Sequence, residues 1–160
     1  MTIDNLKKLT QEIVAQARLL SAKHTSERDA PVNYACIFTQ SQSEYEGLLD
    51  MALQMGSIVD ETPMGPVFKI APFSTDAGNL GLLKIRRPDP KRPERGDADF
   101  TVSDYQKFKK TYLDKPGFAL IERKNMEMLE LVDPSFNVIA YYSNPTLAEA
   151  LGIQASKAQS

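Results

Sequence analysis

Residues 79–113 read NLGLLKIRRPDPKRPERGDADFTVSDYQKFKKTYL, and the fold is decided where this stretch changes character. NLGLLKIRR is an apolar-rich strand. RRPDPKRPERGD sets Pro88, Pro90 and Pro93 among charges, and DADFTV opens a new strand that leads into a helix over 104–113. Proline has no N–H to give a sheet ladder, so the middle run is an extended connector. Outward from it, the same order stands on both sides. Upstream, NYACIFT (33–39) reads as strand, 44–55 as helix, and SIVDE (57–61), PVFKI (66–70) and 79–87 as three strands. Downstream, DADFTV (97–102) and the helix are followed by GFALIER (117–123), MEMLELV (126–132) and FNVIAYYS (136–143). The chain is therefore expected to be α+β, with tandem βαβββ modules at 32–87 and 97–143 joined by the connector 88–96.

Local signals support both helices. Ser41 with Glu44 three residues on has capping-box spacing, Tyr45, Leu48, Leu49 and Ala52 form the apolar stripe, and Gly56 is expected to end the helix in the left-handed conformation. In the second copy Ser103 with Gln106 is box-like, Tyr105, Phe108 and Tyr112 supply the apolar face, and Pro116 with Gly117 forces the stop. Ahead of the repeat, Ile3, Leu6, Leu9 or Thr10, Ile13, Ala17 and Leu20 recur at three- and four-residue spacing. That stripe predicts an amphipathic helix covering one flank of its own sheet, with a partner contact as the other use of such a face. HTSERDAP (24–31) is loop chemistry, completing an N-terminal helix and loop over 1–31. Asn144 before Pro145 starts a short helix with Leu147, Ala148 and Leu151 apolar and Gly152 as its stop, and QASKAQS is expected to fray within the closing segment 144–160.

Composition narrows the function classes. At 160 residues and 42% hydrophobic the chain buries one sizeable core, so a single domain is expected. A net charge of −2 without a basic helical face argues against nucleic acid as a partner. Cys36 stands alone, which excludes an internal disulfide and fits a reducing compartment. No window approaches the apolar length of a membrane span, so no membrane partner and a cytoplasmic location are expected; a homodimer stays open. Glycine-rich phosphate loops, HExxH and GxSxG are absent.

The doubled βαβββ order resembles the vicinal oxygen chelate superfamily, the fold of glyoxalase I, ring-cleaving dioxygenases and bleomycin resistance proteins. LVDPSFNVIAYYS (131–143) is similar to that superfamily's closing hairpin, and IRRPDPKRPERGDADFTV to the connector and second opening strand of its YecM-like branch. The resemblance covers about residues 32–143. It implies a ligand cleft on the concave face of the paired sheets, with metal ligands on the opening and closing strands in metal-dependent members. Those slots fall near Tyr34 or Asn33, Asp99, Arg86 and Ala140. Only Asp99 is an ordinary ligand among them, and the lone histidine, His24, precedes the first module, so neither a metal nor another cofactor is expected.

Strand alternation offers another content for the cleft. Tyr34, Cys36 and Phe38 share a face, as do Leu82, Lys84 and Arg86; Asp97, Asp99 and Thr101; and Val138, Ala140 and Tyr142. If these are the concave faces, Lys84 and Arg86 hold a carboxylate, Asp99 orients Arg86 or accepts from a ligand hydroxyl, and Tyr34 and Tyr142 stack on a flat ligand. The competing reading pairs Arg86 with Asp99 across the module junction and packs the tyrosines as core. Cys36 reads as a small buried residue, not a nucleophile, and Glu122, Glu127 and Glu130 as edge or rim positions. The leading functional expectation is a small-molecule binding protein for an acidic or oxygen-rich ligand, with ligand-binding residues Tyr34, Lys84, Arg86, Asp99 and Tyr142. The alternatives are a metal-dependent isomerase, lyase or dioxygenase, and a protein-interaction module.

Overall fold

The computed structural model describes residues 1–153. QASKAQS lies outside the described residues. Helix α1 (Ile3–His24) is followed by the first module, β1 (Val32–Phe38), α2 (Gln42–Met55), β2 (Gly56–Thr62), β3 (Gly65–Thr75) and β4 (Gly78–Arg86). The second module is β5 (Gly96–Phe100), α3 (Tyr105–Tyr112), β6 (Phe118–Arg123), β7 (Met126–Leu131) and β8 (Val138–Asn144), and α4 (Leu147–Ala150) closes the described chain. One eight-stranded sheet runs β2-β3-β4-β1-β5-β8-β7-β6. In each half the opening strand pairs parallel with the closing strand, and the two strands between add on antiparallel. The halves meet where β1 and β5 run antiparallel, with Tyr34 opposite Asp99 and Cys36 opposite Asp97.

One face of the sheet carries the main core. Ala35, Ile37, Leu83, Ile85, Ala98, Phe100, Val138, Ala140 and Tyr142 pack there with the apolar sides of the helices. The stripe on α1 is used as expected: Leu6, Thr10, Ile13, Val14, Ala17 and Leu20 are buried, and Thr10, not Leu9, takes the inward position with its hydroxyl donating to the Leu6 carbonyl. The C-terminal end of α1 is tied to the LVDPSFN turn. Asp133 accepts from Lys23 Nζ at 2.8 Å, contacts His24 Nε2 at 2.9 Å, and folds the turn by accepting from the Ser135 N–H. These donors hold its carboxyl well below the usual carboxylate range.

Four local expectations change in detail. Glu44 does not close a box on Ser41. Ser41 accepts from the Glu44 N–H, while the Glu44 carboxylate accepts from the Gln40 N–H and, bidentately, from Arg95 at 2.9 and 2.6 Å. That fork, plus Arg95 donating to the Phe38 carbonyl, clamps the connector to the start of α2. Gly56 is extended, at φ −178°. A side chain is excluded there because a Cβ would collide with the Lys69 carbonyl oxygen on the neighbouring strand. The α3 cap is Asp104, accepting from the Lys107 N–H, where Ser103 was expected. The α4 cap is Thr146 in a box with Glu149, where Asn144 was expected; a Thr-x-x-Glu pair satisfies two orphan N–H groups at once, and Gly152 at φ +69° follows its end.

Candidate functional site on the second face of the sheet

The face turned away from α1, α2 and α3 is where ionisable residues collect, and the strand register fixes which ones. Across the centre, Lys84, Cys36, Asp97 and Ile139 form one row, because Cys36 is opposite both Lys84 and Asp97, and Asp97 is opposite Ile139. Beside it, Tyr34, Asp99, Tyr141 and Glu130 form a second row. Arg86 stands opposite Phe38, with its guanidinium carbon 5.0 Å from the ring centroid. Two further pieces lie against this face. The connector sends Arg92 to within 3.9 Å of Glu130, and α4 seats Ala148 against Val67 and Leu82.

Of the five sequence-derived ligand-binding residues, Tyr34, Lys84, Arg86 and Asp99 come together on this face. Tyr142 does not, and the grouping is corrected there. It lies in the helix-side core, fully buried, with its hydroxyl donating to Ser21 Oγ at 2.6 Å and its ring against Phe100 and Phe108. The β8 residues that do reach the second face are Ile139, Tyr141 and Ser143, one position out of step with the expectation. Arg86 does not pair with Asp99 either. Its Nη2 donates to Asp89 Oδ2 at 3.1 Å, because the connector turns back and brings a carboxylate three residues away within reach.

Asp99 is instead satisfied from the other side. It accepts from the Ser143 N–H at 3.1 Å, from Ser143 Oγ at 2.8 Å and from Asn33 Nδ2 at 3.2 Å. Burial raises its pKa to about 6, and these donors oppose the rise. Asp97, two residues back and only 7% exposed, has no such support. Its Oδ1 has no hydrogen-bond partner among the described residues, and burial reinforced by the Asp99 charge pushes its pKa up to about 8, against the pull of Lys84, Arg86 and Arg92. Neighbouring carboxyls on one strand are thus held apart, Asp97 as the neutral acid and Asp99 as the anion at pH 7. Arg86 Nε is also buried without a partner, and Lys84 makes no salt bridge among the described residues. Burial drives the Cys36 thiol and the Tyr34 hydroxyl well up, so both stay protonated; Cys36 serves as a small floor between Lys84 and Asp97.

The donor set does not suit a transition metal. Among the described residues no group of three histidine, cysteine or carboxylate side chains converges, and Lys84 and Arg86 on the strand beside β1 bring positive charge to the same face, which repels a cation. Glu127 and Glu130 fall on opposite faces. Glu127 accepts from the Tyr105 hydroxyl and from Lys109, while Glu130 accepts from Tyr141 at 2.8 Å on the site face. Sequence reasoning gives Asp97, Tyr141 and Arg92 no role at the site, and its reading of Glu130 as an edge or rim position is corrected by the bond from Tyr141. Asp97 was visible in the alternation; the others depended on register and on the path of the connector.

No protein-family model matches the chain, and no curated protein matches it. Solved structures that the chain matches include two. A structural-genomics protein designated EC4020 superposes with a TM-score of 0.70 at 13% identity, covering 93% of this chain and 92% of that one. A glyoxalase/bleomycin resistance protein/dioxygenase superfamily member from Vibrio splendidus 12B01 gives a TM-score of 0.43 at 10% identity, over 71% of this chain and 97% of that one. The paired modules and their strand order decide the architecture. The fold is glyoxalase-like. That is the fold the sequence resemblance implied, and the candidate site lies where β1 and β5 join the two modules. No helix among the described residues is long and apolar enough to cross a membrane.

Proposed function

We propose that this protein binds a small anionic, oxygen-rich molecule on the second face of its sheet, with the anion held by Lys84 and Arg86 over a floor of Cys36 and Phe38. One observation carries the reading. At the centre of the sheet a cation without a salt bridge, a buried guanidinium N–H without an acceptor and a buried carboxyl oxygen without a partner stand together. Buried polar groups are almost always satisfied, so such a group of orphans is complementary to something the described residues do not supply. Arginine and lysine together suit a carboxylate, and Tyr34 and Tyr141 border the place it would occupy. The test is a carboxylate panel read by ligand-induced rise in melting temperature. Wild type should be stabilised by at least one member, and Lys84→Met and Arg86→Met should each lose that rise.

A second reading, an enzyme on the same fold, is favoured by the contrast between Asp97 and Asp99, since acid and base roles are assigned by environments of this kind. Turnover in the presence of a bound carboxylate, lost in Asp97→Asn while binding persists, would select it. The third expectation, an interaction module using the N-terminal helix or a sheet edge, keeps only its second half, because the apolar stripe of α1 is buried against the chain's own sheet.

A further inference from the structure

We propose that Asp97 contacts the ligand and exchanges hydrogen bonds with a hydroxyl group on it, so that the molecules this site takes are hydroxycarboxylic acids. The inference rests on the anion-binding reading above and adds the second half of the ligand. Asp97 is more than nine-tenths buried, it faces the same side of the sheet as Lys84 and Arg86, and its Oδ1 has no partner. Its flanking neighbours in the row do not supply one. Ile139 is apolar, and the Cys36 thiol is directed to the Ile37 carbonyl at 3.9 Å. Lys84 lies two strands from Asp97, a separation of about 10 Å between backbones, and the small Cys36 is the residue between them on this face. A ligand whose carboxylate sits at Lys84 and Arg86 therefore extends over Cys36 and presents its next polar group to Asp97.

The chemistry of that group follows from the form of the carboxyl. With a pKa of about 8, Asp97 carries its proton at pH 7 and offers one donor and one acceptor. A hydroxyl is the small group that answers both. A second carboxylate would accept only, and a methylene would leave both unmet. The charge pattern also ties binding to the proton. The ionisable groups that face Asp97 are Asp99 on its own strand, Tyr34 and Cys36 from β1, Lys84 and Arg86 from β4, Tyr141 from β8, Glu130 from β7 and Arg92 from the connector. Tyr34, Cys36 and Tyr141 are all pushed upward, and Asp99, with its pKa at about 6, ionises before Asp97. Between about pH 7 and pH 9 the carboxyl of Asp97 passes through its pKa of about 8, and its ionisation places a negative charge against the bound anion.

The experiment is an NMR titration of the full chain with matched acids, malate against succinate and lactate against propionate. Wild type at pH 7 should bind the hydroxy acid of at least one pair about ten-fold more tightly, and that affinity should fall as the pH passes about 8. Asp97→Leu should bind both members of the pair equally, still through Lys84. Asp97→Asn keeps a donor and an acceptor, so it should retain the preference and lose the fall above about pH 8. Equal affinity of wild type for both members of each pair, with binding still lost in Lys84→Met, overturns the role of Asp97 and leaves the anion site standing. A preference that survives in Asp97→Leu overturns it as well. If no acid of either pair binds wild type, the inference and the anion site fall together.

Discussion

Arg86 donates through Nη2 to Asp89 Oδ2 at 3.1 Å and lies over the Phe38 ring, which leaves its Nε buried and without an acceptor. The pairing is local to the connector, so the charge of Arg86 is not committed to either carboxylate of β5. Two consequences follow for stability. Arg86→Met should cost only about 1 kcal/mol, from one partly buried pair and one ring contact. A double-mutant cycle between Arg86 and Asp99, read by urea denaturation, should return a coupling near zero, whereas a buried Arg86–Asp99 pair would give a coupling of roughly 3 kcal/mol or more.

Asp97 should make the fold less stable as the pH rises. Its folded pKa of about 8 stands above the ordinary value of 3.8, so between the two the folded chain keeps a proton that the unfolded chain has released. Stability from this group is fully present below the unfolded pKa and is lost as the pH rises through the folded one. Asp97→Asn removes the titration. Denaturation curves of wild type and variant should therefore diverge in favour of the variant from about pH 4 to about pH 8, by an amount on the order of a few kcal/mol. Parallel curves over that range would mean that Asp97 is solvated or paired in the folded protein.

Asp99 should behave in the opposite way to its neighbour when removed. Three donors converge on it, two of them from the buried Ser143, so Asp99→Ala strands a backbone N–H and a hydroxyl inside the protein. A loss of about 2–3 kcal/mol is expected in chemical denaturation at pH 7. Asp99→Asn, which can still accept through its amide oxygen, should cost less.

The clamp between Arg95 and Glu44 should hold the connector in place. Arg95→Met removes both arms of the fork and the donor to the Phe38 carbonyl, and a loss of roughly 2 kcal/mol is expected. Hydrogen exchange should localise the effect, with faster exchange at the start of α2 and through residues 88–95 and little change in β6 or β7.

The fold was legible because each strand carries its own boundaries in proline, glycine and polar turns, and both modules repeat the order. The faces of β1, β4 and β5 were legible too, since polar and apolar residues alternate there in YACIF, LLKIR and DADF. In β8 the alternation carries no contrast. VIAYYS is apolar or aromatic on both sides, as a strand buried on both faces has to be, and Tyr141 and Tyr142 are indistinguishable by pattern. The strand's pairing with β5 settles which tyrosine shares the face of Asp99. The contrast between Asp97 and Asp99 was hidden for a related reason. Nothing along the chain shows that Ser143 and Asn33 serve one carboxylate and leave the other alone. The Arg86–Asp89 pair needed the return of the connector, which proline-rich sequence does not specify.

The central claim is that Lys84, Arg86 and Asp97 together form a site for an oxygen-rich anion. Its most direct test is a crystal structure of the full chain grown with saturating malate at about pH 7. The account predicts a malate carboxylate at about 3 Å from Lys84 Nζ and Arg86 Nε, with the hydroxyl at similar distance from Asp97 Oδ1. Malate held elsewhere on the surface, or a second face occupied only by water bridging Asp97 and Arg86, would contradict it.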